Sequence, residues 1–264
     1  MQADNEVNGQ PCDNISEKNP YYNELTAMYW AWKNLRRLYP DVKYVGLFHY
    51  RRFLAFDEQK YFAVNIMKPS SAISDYRIDA GKVISIIEEG RVILPKPMVF
   101  SSTLAGDYCM CHVSDDYRAV KETVRTEYPD YYEDFIDVME RNNKFHPCNM
   151  FIMKYDDFVK YCEWLFSLLP LVEHEYLNNK SAYQRRLFIS ERLFNVYVYH
   201  HKMKAEYFNV YNYDDSVSEK HTSMTVRFLS CLIRFLSCSR NNVIMSMLNL
   251  NTVSRFLKKY PPKP

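Results

Sequence analysis

The sequence predicts an α/β fold. A helical stripe runs directly into a short apolar run over 44–48, and a helix feeding a buried strand is an α/β signature. Two more short apolar runs, Arg91–Pro95 and Met150–Met153, lie between segments of helical periodicity. The chain of 264 residues is 47% hydrophobic and 16% aromatic, enough for a sizeable core and incompatible with disorder.

In chain order, residues 1–13 read as loop. Asn19 as cap and Pro20 at the first helical position start a helix over about 20–38. Leu25, Met28, Tyr29, Trp32 and Leu35 form its buried stripe, with Trp30 and Lys33 off it and Asn23 and Glu24 near the helix start. Tyr44 to Phe48 reads as a buried strand delivering His49, Tyr50, Arg51 and Arg52 at its end. Residues 57–80 give no clear pattern. Val83–Ile87 reads as a short helix stopped by Gly90, followed by the 91–95 strand and a third at Met98–Phe100. Helices are expected over 114–127 and, past Pro129, on Tyr132, Phe135, Ile136 and Met139. After the strand at 150–153, a helix opens at Asp156 and is expected to end at Pro170. A further helix spans about 183–200.

From Lys220 onward there is no Asp or Glu, while Arg227, Arg234, Arg240, Arg255, Lys258, Lys259 and Lys263 follow. With Val226, Leu229, Leu232, Ile233 and Leu236, this reads as a basic amphipathic helical tail over 216–264, either at a membrane surface or packed on protein. Net charge is only +2, and no reader motif accompanies the tail, so nucleic acid is not an expected partner. No apolar leader or run of transmembrane length is visible. The seven scattered cysteines read as reduced thiols in a cytoplasmic protein. Five glycines leave no Gly-rich phosphate loop.

Two arginines and a histidine at a strand end point to an anion, a phosphate above all. Solvated arginines are the plainer alternative for Arg51 and Arg52. Cys109-x-Cys111-His112, even with His146 and Cys148, has the wrong spacing for zinc. His112, Asp115 and Asp116, at an expected strand-to-helix junction, are candidates for chemistry, although an Asp there is first of all a cap. His200 and His201 read as helix surface. Glu191 lies in a mostly apolar helix, where a carboxylate needs either a partner or a chemical role. The partner would be Arg185, Arg186 or Arg192, and the role that of a general base.

The runs NISEKNPYYNELTAMYWAWKN (14–34), YVGLFHYRRF (44–53), NMFIMKYDDFVKYCEWLF (149–166) and SERLFNVYV (190–198) resemble the bacterial capsule and exopolysaccharide glycosyltransferases. That family was long catalogued as a domain of unknown function, and some members are linked to galactofuranose transfer. The resemblance covers about 10–215 and implies a GT-A-like fold, a Rossmann-type sheet flanked by helices, with a nucleotide-sugar donor and a lipid-linked glycan acceptor. It implies Glu191 as the base, with Asp115 and Asp116 behind it. His49, Arg51 and Arg52 take the donor diphosphate in place of a metal, so no cofactor is expected. Asn149, His112, His146, Arg192 and Trp30 line the sugar and acceptor sites. In that family a strand ending in Thr-His-Lys precedes the N-I-S motif, so a sheet without its first strand is expected here. The expected protein is a transferase peripheral at the inner face of the cell membrane. The alternative is an inactive homologue serving as a binding or scaffold subunit of a polysaccharide assembly complex.

Overall fold

The computed structural model describes residues 6–7, 9–60, 64–177 and 187–217. The described residues up to Lys68 and from Ala72 to Asp214 form one compact unit. The expected basic tail lies outside the described residues from 218 on, as do Arg185 and Arg186.

A small antiparallel hairpin, β1 (Glu6–Val7) and β2 (Gln10–Pro11), turns at Gly9. The single helix expected over 20–38 is two helices, α1 (Asn19–Tyr22) and α2 (Leu25–Leu38). They part at Asn23, whose φ of 48° and ψ of −124° cannot continue a helix. Asn19 does not cap the first helix. It stands inside it and donates from Nδ2 to the Asn23 carbonyl at 3.3 Å and Thr26 Oγ1 at 3.0 Å, bridging the break. The break leaves Glu24 at the N-cap of α2. Beyond it the expected stripe holds: Leu25 and Met28 are buried, and Trp32 and Leu35 pack against the same core.

β3 (Tyr44–Leu47) leads through a tight turn, closed by the Arg52 amide on the His49 carbonyl at 3.1 Å, into β4 (Arg52–Leu54). The stretch 57–80, unpatterned in sequence, contains β5 (Asn65–Pro69) and a 3-10 turn, Ser70–Asp75. α3 (Ala80–Glu88) is capped by Asp79, and Gly90 follows it with φ of 77°. Then come β6 (Val92–Pro95), β7 (Met98–Val99), α4 (Leu104–Cys111), α5 (Ser114–Glu127) and α6 (Pro129–Glu140). Next are β8 (Lys144–Phe145), β9 (Phe151–Lys154), α7 (Tyr155–Leu177), α8 (Ser190–His200), β10 (Ala205–Phe208) and β11 (Val210–Asp214).

The central sheet has the order β10-β6-β9-β3. β10 is parallel to β6, while β9 runs antiparallel to β6 and β3. Alternation sends Val92, Leu94, Phe151 and Met153 to one face, where they join α2 and α4–α8. Ile93 and Ile152 face the other side, against Val83, Ile86 and Ile87 of α3. Helices thus cover both faces of a mixed sheet, the α/β layering the sequence predicts. A second sheet, β4-β11-β5, stands beside it.

Three further expectations are corrected. Among the described residues β3 is an edge strand, paired only with β9, and it is only partly buried. Cys109, Cys111 and His112 belong to the end of α4, so Asp115 and Asp116 open a helix after a helix, not after a strand. α7 does not stop at Pro170 but runs through it to Leu177; Leu168, Leu169 and Val172 are buried around the proline, and their packing outweighs the lost amide bond.

Candidate active site at the carboxyl edge of the sheet

The strand directions put the carboxyl ends of β3, β6 and β10 on one edge, where β9 begins. In open α/β sheets that edge is where ligands bind. The 49–52 turn, the 146–149 turn, the α1–α2 break and the start of α8 meet there.

Asn195 of α8 fixes the second turn. Its Oδ1 accepts from the His146 amide at 2.8 Å, and its Nδ2 donates to the His146 carbonyl at 3.0 Å and the Glu191 carbonyl at 2.8 Å. Cys148 and Asn149 follow with φ of 73° and 48°, two consecutive left-handed residues that are not glycine. Such backbone persists only where its surroundings over-determine it, and it concentrates at functional sites. Here it turns the Cys148 amide onto Glu191 Oε2 at 3.1 Å. Asn149, fully buried, donates from Nδ2 to Glu24 Oε1 at 3.0 Å and Ser190 Oγ at 3.2 Å. Its Oδ1 is buried without a hydrogen-bond partner.

Glu191 as a residue is partly exposed, while its carboxyl is desolvated. Desolvation raises its proton affinity, and the Glu24 carboxylate adds in the same direction; Arg192, the Cys148 amide and Arg52 oppose them. Cys148 is pushed up to about 11, chiefly by burial, so its thiol stays protonated. Arg52 donates to Cys148 Sγ at 3.2 Å. His49 is lowered to about 4 by burial and by the charges of Arg52 and Arg51, which makes it a neutral imidazole at pH 7. Its Nδ1 is buried without a partner.

His146 reaches the Pro95 carbonyl with Nδ1 at 2.8 Å. That carbonyl only accepts, so Nδ1 carries the proton and Nε2 is left as acceptor. Its ring stacks on Tyr207 of β10, centroids 5.1 Å apart and planes 4° apart.

The structure therefore brings together Glu191, Asn149, His146, His49 and Arg52 from the residues singled out in the sequence. Arg51 is next to them but exposed, its guanidinium over the Tyr50 ring at 4.7 Å. Arg192 adjoins Glu191 yet faces away: it pairs with Asp107 at 3.0 Å and lies over Phe145 and Tyr108. His112 stacks between Tyr108 and Phe188, close enough to Arg192 to feel its charge. Asp115 pairs with Arg118 at 3.1 Å on an exposed face of α5, and Asp116 is buried in the first turn of that helix. Trp30, on α2, is not among the residues these contacts join.

Sequence reasoning missed Glu24, Ser190 and Asn195, and weighed Cys148 only as a metal ligand. The available signal was the polar pair Asn23-Glu24 directly ahead of Leu25, where the apolar stripe begins. Among the described residues no three His, Cys, Asp or Glu side chains are grouped to hold a metal. A separate groove opens at the opposite edge of the sheet, between Arg36, Lys43, Tyr44 and Lys154. Arg36 there pairs with Asp156 at 2.7 Å and Lys154 with Glu88 at 3.8 Å, so it offers no comparable chemistry.

The model of a family described as a domain of unknown function, DUF4422, matches residues 1–202. The solved apo structure of WbbM, a bifunctional glycosyltransferase, matches with a TM-score of 0.62 and 30% identity over 80% of this chain. The match spans 40% of that longer protein. No curated protein matches the sequence. The layering described above is GT-A-like, a fold held in common with part of that glycosyltransferase.

Proposed function

Because the chain belongs to the DUF4422 family, we propose that it is a glycosyltransferase moving a sugar from a nucleoside-diphosphate donor to a glycan acceptor. One observation carries the reading: a desolvated carboxyl, Glu191, is fixed by a strained turn at the ligand-binding edge of a fold shared with a glycosyltransferase.

In the step we assign, Glu191 takes the proton of the acceptor hydroxyl. The acceptor oxygen forms the new bond to the anomeric carbon. The bond from that carbon to the diphosphate breaks, and its electron pair leaves with the nucleoside diphosphate. Arg52 and Arg51, both close enough to depress His49, supply positive charge for that leaving group. Neutral His49 adds a polar contact and no charge. On this reading guanidinium groups do what a divalent metal does in related chemistry. Galactofuranose as the donor sugar and a lipid-linked capsule or exopolysaccharide chain as acceptor are the favoured substrates, on the motifs at 14–34 and 44–53. No helix among the described residues is long and apolar enough to cross a membrane; contact with the inner face of the membrane is assigned to the basic tail.

The test is release of nucleoside diphosphate from a panel of uridine-diphosphate sugars that includes the galactofuranose donor. Turnover that persists in excess EDTA and falls in Arg52→Ala supports the proposal. Turnover abolished by EDTA and restored by Mn²⁺ or Mg²⁺ overturns the guanidinium assignment. Absence of both binding and turnover across the panel overturns the transferase reading and leaves a scaffold protein.

A further inference from the structure

Glu24 meets Glu191 across the 148–149 turn. The Cys148 backbone holds Glu191, and the Asn149 side chain holds Glu24. The same Asn149 Nδ2 reaches Ser190, the residue before Glu191. One pair of left-handed residues therefore fixes both carboxylates, which arrive from elements far apart in sequence. The orientation of the Asn149 amide follows from Glu24: an ionised carboxylate only accepts, so Nδ2 faces it and Oδ1 points away, into a place where nothing pairs with it. An orphaned buried carbonyl of this kind is destabilising, because it gives up its water without gaining a partner. Retaining it, on a turn already strained, is understandable where the other end of the amide serves the site.

We propose that Glu24 is a second functional carboxylate of the site, and that Asn149 is a positioning residue which sets its distance from Glu191, so that the charge on Glu24 strengthens Glu191 as the base. The proposal rests on the transferase reading and names a residue outside it. Four groups act on the Glu191 carboxyl through charge or a hydrogen bond: Arg192 from its own helix, Cys148 from the turn, Glu24 from the α1–α2 break and Arg52 from β4. Arg192 is engaged by Asp107 and Arg52 by Cys148. Glu24 is the member whose charge works with burial to raise the proton affinity of Glu191. Asn149, fully buried, acts through Glu24 and does not touch the sugar.

The experiment is a carboxyl titration by NMR on the full chain labelled with 13C-glutamate, the Glu191 resonance being identified by its loss in Glu191→Gln. In the wild type its midpoint is expected above the usual glutamate range. Glu24→Gln shifts it down. Asn149→Ser shifts it the same way, and adding Asn149→Ser to Glu24→Gln moves it no further. In turnover, the acid limb of kcat/KM moves to lower pH in Glu24→Gln, and the plateau falls about tenfold, as expected for a weaker base. A Glu191 midpoint unmoved in Glu24→Gln, or shifts that add independently in the double variant, overturns the proposal. The titration needs no substrate. Missing turnover with a coupled midpoint therefore rejects the transferase reading alone, while turnover with an uncoupled midpoint rejects this proposal alone.

Discussion

The Cys148 amide donates to Glu191 Oε2 at 3.1 Å because Cys148 is left-handed, with φ of 73°. An extended residue there would send the amide elsewhere. Glu191→Gln keeps an acceptor oxygen for this bond and removes only the ability to take a proton. It should lower kcat by about 10²–10⁴ while leaving the melting temperature within a few degrees of wild type. Nucleoside-diphosphate release and a thermal melt on the same preparation check both parts, and normal kcat would remove Glu191 from the base role.

Asn23 carries the second strained backbone, and its φ and ψ suit glycine far better than a residue with a Cβ. Asn23→Gly should be neutral or stabilising, by up to about 1 kcal/mol, because relief of strain is partly offset by the freer unfolded chain. Asn23→Val should be destabilising by more than that, since a β-branched residue fits this region worst. Urea midpoints of the two variants decide it. Equal stability in both would mean that the α1–α2 break is not held at this residue.

The Asp107–Arg192 pair is nearly out of water, with side chains 17% and 8% exposed. Asp107→Ala leaves the guanidinium uncompensated between Phe145 and Tyr108, at a cost of about 3–5 kcal/mol. Replacing both partners together, Asp107→Leu with Arg192→Met, should recover much of the loss. Chemical denaturation of the three proteins measures this, and a double variant no better than the single would reject it.

His112 is lowered to about 4, first by burial and then by the Arg192 charge. The folded state thus binds its proton less readily than the unfolded chain. Its contribution to stability is complete above the unfolded value near 6.5 and is lost as pH falls through about 4. The ring is partly exposed, so the effect, discounted for solvent screening, is about 1–2 kcal/mol. His112→Phe keeps the stack on Phe188 and should flatten that part of the stability–pH curve. His49 has the same sign and keeps its own part of the slope. An unchanged slope in His112→Phe would refute the assignment.

What the sequence made legible follows the strength of its periodicity. α5 and α6 were readable to within a residue or two because Tyr117, Val120 and Val124, then Phe135, Ile136 and Met139, repeat at helical spacing and are buried as that spacing demands. β6 and β9 were readable as unbroken apolar runs. β10 and β11 were not, because Ala205–Asp214 is neither apolar throughout nor alternating, and its partners come from far along the chain. The helix through Pro170 was misread because local breaking rules cannot weigh the burial of Leu168, Leu169 and Val172. In the site, Glu191 and Asn149 could be singled out from motifs, but the reason they matter to each other could not. It depends on two φ angles at Cys148 and Asn149 and on a helix break at Asn23, and no hydrophobic pattern encodes these.

The polar groups of the site sit on turns, on α8 and at the first residue of β4, whereas the ladder Tyr44–Leu47 on Phe151–Lys154 and Val92–Pro95 on Ala205–Phe208 lies behind them. Recognition and folding are therefore written in separate parts of the chain. Exchanging the short connections at 48–51 and 146–149 between relatives should transplant selectivity while leaving every strand in register.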